Sequence, residues 1–145
     1  MEQDSLTKFI ESARTLWGTQ DAALISKAQV LIEELAKTPP TVPWLSSLRD
    51  GSVESREIYR DPEHGFILLA HTEKEGLYRK PHDHGDGWVI YAVQDGEMKM
   101  RTFDRIDLDD GKVRLVQRES YHMLPGESRV FLPGDIHDTR CISSS

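Results

Sequence analysis

With 145 residues, one cysteine (Cys141) and a net charge of −7 from 18 basic and 25 acidic side chains, the chain is long enough to bury a core without disulfides. The acidic balance and the lack of a basic stretch argue against nucleic acid and against an anionic membrane surface, which both need clustered lysine and arginine. No apolar run is long enough to span a bilayer, and the opening MEQDSLTKF is acidic and amphipathic where a secretory leader is basic and then apolar, so one soluble, cytoplasmic domain is expected.

Asp4 or Ser5 is placed to cap a first helix in which Leu6, Phe9, Ile10, Ala13, Leu16 and Trp17 recur at three- and four-residue steps before Gly18 ends it. A second helix is expected from Asp21, with Leu24, Ile25, Ala28, Leu31, Ile32 and Leu35 as its apolar stripe and Pro39-Pro40 as its stop. Both stripes predict packing against a sheet, with Glu11, Arg14, Lys27, Glu33 and Glu34 left to water. Thr41 to Leu48, with Pro43 and Trp44, reads as a linker.

From Val53 the pattern turns to β. Expected strands are Val53 to Arg60, Phe66 to Glu73, Leu77 to His82, Trp88 to Gln94, Glu97 to Ile106, Lys112 to Met123, Arg129 to Leu132 and Ile136 to Ile142. Between them lie turn residues: Asp61-Pro62 with His64-Gly65, Glu75-Gly76, Asp95-Gly96, Asp109-Asp110-Gly111, Pro125-Gly126 and Pro133-Gly134. No helix intervenes to make a crossover, so an antiparallel sandwich or barrel is expected rather than a parallel sheet.

His82 and His84 are one residue apart at the edge of a β-rich run. On a strand such a pair shares a face and aims two imidazoles at one spot, which suits a metal ion better than a core. Pro133-Gly134-Asp135-Ile136-His137 feeds a third histidine into a later strand. His64, in an acidic turn, is expected to be exposed, and His71 and His122 to be structural. Val89, Tyr91 and Val93 share one face and Trp88, Ile90 and Ala92 the other, which an N-terminal helix would cover. Tyr91 either hydrogen-bonds a bound oxygen or substrate or is a buried tyrosine satisfied by the backbone. Met98 and Met100 read as core.

Gly76, five residues, His82-Asp83-His84, then Val89 and Gly96 resemble the first motif of the cupins, and PGDIH resembles the second. Cupins usually hold a metal with a glutamate at the Val89 position besides the histidines. Its replacement here resembles the three-histidine thiol dioxygenases of the cysteine dioxygenase type. The resemblance implies a mainly β fold, a double-stranded β-helix (antiparallel jelly-roll barrel) over residues 53–145 with two N-terminal α-helices, residues 1–40 packing on the barrel. It implies Fe(II) on His82, His84 and His137, with Zn, Ni or Mn as alternatives, and oxidation of a small thiol (cysteine, 3-mercaptopropionate or cysteamine) by O2 to its sulfinate. Arg56, or its neighbour Arg60, falls where the family clamps a substrate carboxylate, and Tyr91 is a further candidate for substrate binding.

Three neutral imidazoles leave the charge of a divalent ion uncompensated, which favours an anionic ligand such as a thiolate. An enolate satisfies the same charge argument, so a dioxygenase cleaving carbon–carbon bonds, a cupin isomerase and a cupin that only binds a small ligand are the alternatives. The cysteine–tyrosine thioether of animal cysteine dioxygenases is not expected, because Val89 stands at the cysteine position. The family's serine, histidine and tyrosine group would lie on a strand after His137, where eight residues follow. An exposed barrel edge offers a route to a homodimer.

Overall fold

A computed structural model of the chain describes residues 4–19, 22–49 and 54–143. The fold is mainly β, with three helices and antiparallel strand pairs throughout the described residues. The chain divides into two compact units, Met1–Glu73 and Lys74–Ser145.

The first unit holds helices α1 (Ser5–Thr19), α2 (Leu24–Ala36) and α3 (Pro43–Leu48) and the hairpin of β1 (Ser55–Arg60) with β2 (Ile67–His71). Asp4 caps α1, its Oδ1 accepting the Thr7 N–H at 2.7 Å, one of the donors that a helix start leaves without an internal partner. The stripes of α1 and α2 turn inward at Ala13, Leu16, Ala28 and Leu35. From α1, Trp17 reaches the Phe66 ring at 4.5 Å, and Arg14 reaches the buried carboxylate of Asp61 at 3.0 Å. The expected start of the second helix at Asp21, and of the first strand at Val53, lie outside the described residues.

α3 corrects the reading of Thr41 to Leu48 as a linker, so the described residues form three helices where two were expected. Pro43 supplies the physical reason: at the first helical position its missing N–H costs nothing and its fixed φ suits the helix. Leu45 is buried, and the Trp44 indole N–H reaches Ser5 Oγ at 3.1 Å, which ties this short helix to the start of α1.

The second unit is all strand and turn: β3 (Tyr78–His82), β4 (Val89–Ala92), β5 (Glu97–Asp107), β6 (Val113–Met123), β7 (Ser128–Phe131) and β8 (Ile136–Ser143). They form a four-stranded sheet in the order β3-β8-β5-β6 and a two-stranded sheet β4-β7. Alternation decides what goes inside. Met98, Met100, Met123 and Cys141 of the larger sheet join Val93 and Phe131 in one buried apolar cluster, with Val89 and Tyr91 packed against it. The inward face expected of Val89, Tyr91 and Val93, and the core role expected of Met98 and Met100, are both found. Beyond this core the β5-β6 hairpin continues as an arm whose residues 104–120 are exposed throughout. Among the described residues, no helix is long and apolar enough to cross a membrane.

Candidate metal centre

His82 ends β3, His84 stands in the turn just after it, and His137 follows Ile136 at the start of β8. Antiparallel pairing of β3 with β8 sets His82 opposite His137. The Pro133-Gly134 turn delivers the latter: Gly134 adopts φ 83°, a conformation glycine enters without penalty, while Asp135 Oδ2 accepts the Leu132 N–H at 2.8 Å.

The expectation that His82 and His84 share a strand needs one correction, because the ladder stops at His82. Gly85 at φ 61° and the bond from the Gly87 N–H to the His84 carbonyl at 3.1 Å bend the chain out of the sheet. Asp83 Oδ1 accepts the Gly85 N–H at 3.1 Å and holds that bend. His84 still turns toward its partners from there.

The three imidazoles converge. One ligand atom from each lies within 4.8 Å of the others, close enough to bind a single metal ion. Nε2 of His82 and Nε2 of His137 are 3.1 Å apart, and ring centroids are 4.5 Å (His82–His137), 5.3 Å (His82–His84) and 5.3 Å (His84–His137) apart. His82 Nδ1 lies 2.8 Å from the Lys80 carbonyl oxygen, which can only accept, so the proton is assigned to Nδ1 and the Nε2 lone pair is left facing His137.

The surroundings favour the neutral form of two of these rings, His137 and His84. His137 is completely buried, with the Phe131 ring 3.9 Å away and the Tyr91 ring 5.5 Å away. Burial, followed by the proximity of His82 and His84, pulls the His137 pKa down to about 4. Burial and His82 also lower that of His84, against the opposing charge of Asp83. Neutral imidazole is the form that binds a metal, and this donor set suits zinc, copper, iron and nickel at bond lengths of about 2.0–2.1 Å for zinc. His137 Nδ1 has no partner among the described residues, so the ring is not anchored there by a protein hydrogen bond. The residues present therefore fit a metal ion.

Tyr91 joins the cluster, its hydroxyl 3.4 Å from His84 Nε2. Val89 lies opposite Phe131 in the β4-β7 pair and packs against the apolar cluster. Arg56 and Arg60 lie on β1 in the first unit, both exposed, and Arg60 is held by Glu57 at 2.6 Å. His71 is exposed on β2, and His122 is exposed on β6, where its Nδ1 meets Glu97 at 3.1 Å. His64 is half-buried, not exposed as its acidic turn suggested, because its backbone N–H is drawn in at 2.7 Å by the buried Asp61 carboxylate.

Four neighbours of the site were not singled out from the sequence. Phe131 walls His137. Behind the sheet, Asp138 is buried and accepts the Tyr78 hydroxyl at 2.7 Å and the guanidinium of Arg101. Burial alone would raise the Asp138 pKa, but the hydrogen bonds from Arg101 and Tyr78 and the Arg101 charge together hold it below the usual carboxylate value. An acidic residue directly after a motif histidine was the available signal. Nothing in the sequence marked Arg101 or Tyr78 as its partners. No family model matches the chain, and no curated protein is significantly similar to it.

Proposed function

We propose that this chain is a cytoplasmic non-haem iron dioxygenase of small thiols, built on a cupin-type barrel and holding Fe(II) through His82, His84 and His137. The observation that carries the proposal is the convergence of three imidazoles within 4.8 Å, with an apolar Val89 packed in the core at the position where the resemblance would otherwise put a carboxylate ligand. Bound there, the iron would supply the redox chemistry that adds both atoms of O2 to the thiol sulfur and yields a sulfinate.

The side chains do the rest. Three uncharged donors add no negative charge, so the centre keeps the positive potential that draws a thiolate. Phe131 and Tyr91 present rings against His137, a wall that keeps water from one side of the reacting group. The Tyr91 hydroxyl, already directed at His84, is placed to hydrogen-bond a polar atom of a ligand held at that centre. A partner of the chain's own kind would meet it at β6, the outer strand of the larger sheet, where Val113, Leu115 and Val116 are exposed.

Oxygen consumption by the Fe(II)-loaded protein, offered cysteine, 3-mercaptopropionate and cysteamine in turn, tests the reading. Uptake matched by sulfinate with at least one thiol is the expected result. Stoichiometric iron with no uptake on any thiol would overturn it and favour a diketone-cleaving enzyme or a binding protein.

A further inference from the structure

Three buried side-chain atoms that lack a hydrogen-bond partner among the described residues occupy neighbouring positions on one face of the larger sheet: His137 Nδ1, Thr102 Oγ1 and Thr139 Oγ1. Thr102 of β5 lies directly opposite His137 of β8, and Thr139 is two residues further along β8, so all three side chains project to the same side. Cross-strand neighbours sit about 4.5–5.5 Å apart at Cα, and alternate residues of a strand about 6.6 Å. Those spacings allow one water-sized group to bridge all three.

An unpaired buried polar atom costs about 1–3 kcal/mol, and three in adjacent positions call for a common partner. Internal water typically makes about three hydrogen bonds to such groups. We propose that His137 Nδ1, Thr102 Oγ1 and Thr139 Oγ1 enclose one internal water molecule, and that through it the two threonines act as positioning residues for His137. With the His137 Nε2 lone pair committed to a metal, Nδ1 carries the proton and donates to the water oxygen. The water then gives its two protons to the threonine oxygens, so the Nδ1 proton and both water protons find acceptors. His82 is held in the same tautomer by the Lys80 carbonyl. The water does for the buried histidine what a backbone oxygen does for the strand-end one. The positioning role rests on the metal-centre reading, whereas the water rests on the orphaned atoms alone.

Two measurements on Thr102→Val and Thr139→Val, with Thr→Ser at each position as the control that keeps the hydroxyl, separate these claims. In the zinc-loaded protein, each valine should weaken zinc binding by about 10-fold in a chelator competition, within the 10- to 100-fold range for groups that orient a ligand. Each should also shift the His137 side-chain 15N resonances, while serine restores both. Unchanged affinity and unchanged resonances in the valine variants would overturn the positioning role. In the metal-free protein, oxygen-17 relaxation dispersion should lose one long-lived water in each valine variant and regain it with serine. An unchanged count would overturn the water. A wild type that binds no zinc would overturn the metal reading and with it the positioning role, leaving the water to be decided by its own count.

Discussion

Nε2 of His82 and Nε2 of His137 stand 3.1 Å apart across 55 positions of sequence. The His82 Nδ1 proton is committed to the Lys80 carbonyl, so a lone pair of one ring faces the other, an arrangement that a cation resolves. Removing the third ring of the cluster, which bears little of the fold, is the most direct check. His84→Ala, altered in a turn outside the ladder, should lose stoichiometric iron and zinc while its far-UV circular dichroism stays that of the wild type. Metal content by elemental analysis decides, and full retention in the variant would remove His84 from the centre.

Acid should act on His137 and His84 in one direction. Both have folded-state pKa values below the unfolded 6.5, that of His137 at about 4, so the unfolded chain binds more protons between these limits. Their contribution is complete above about pH 6.5 and is lost as the pH falls toward 4. The metal-free protein should therefore show a falling Tm across that window, less steeply in His137→Asn. A Tm equally steep in that variant would assign the acid sensitivity elsewhere.

Asp138 is buried next to His137, and Arg101 and Tyr78 account for its charge and its hydrogen bonds. Arg101→Met should strand that carboxylate and cost about 2–3 kcal/mol in urea unfolding. That is less than the 3–5 kcal/mol of a fully buried pair, because solvent reaches the guanidinium. Tyr78→Phe removes one hydrogen bond and should cost about 1 kcal/mol. A loss below 0.5 kcal/mol (about half the ordinary hydrogen-bond value) in Arg101→Met would mean that the pair adds nothing to stability.

The carboxylate clamp that the resemblance implies for Arg56 or Arg60 is tested by substrate choice. Arg60 already pairs with Glu57, so Arg56 is the variant to make first. If Arg56 holds a substrate carboxylate, Arg56→Ala should raise KM for cysteine and 3-mercaptopropionate by at least about 10-fold, the loss of one charge-assisted hydrogen bond. Cysteamine, which has no carboxylate, should be unaffected. An equal effect on all three thiols would deny the clamp.

Much of this molecule is written locally. Eight strands were expected and eight are present among the described residues, because each combines β-branched or aromatic residues with a turn built on Gly, Asp or Pro, and such signals act within a few residues. The histidine trio was legible for the same reason: HxH and PGDIH each bring a ligand type together with the turn that places it. Short-range grammar did less well where a proline has two meanings. Pro43 suggests a linker over Thr41 to Leu48 but opens α3, since its locked φ serves a helix start as readily as a linker.

Tertiary structure decided the rest. That β3 and β5 both flank β8, setting His82 on one side of His137 and Thr102 on the other, depends on pairings between distant segments that no local pattern encodes. The same holds for Phe131 against His137, for Asp138 finding Arg101 and Tyr78, and for the burial that keeps His137 neutral. By itself the sequence determined which residues are able to bind a metal and which turns present them. Only packing determined which atoms meet and how dry their surroundings are, because contact and desolvation belong to the assembled sheet rather than to any segment of it.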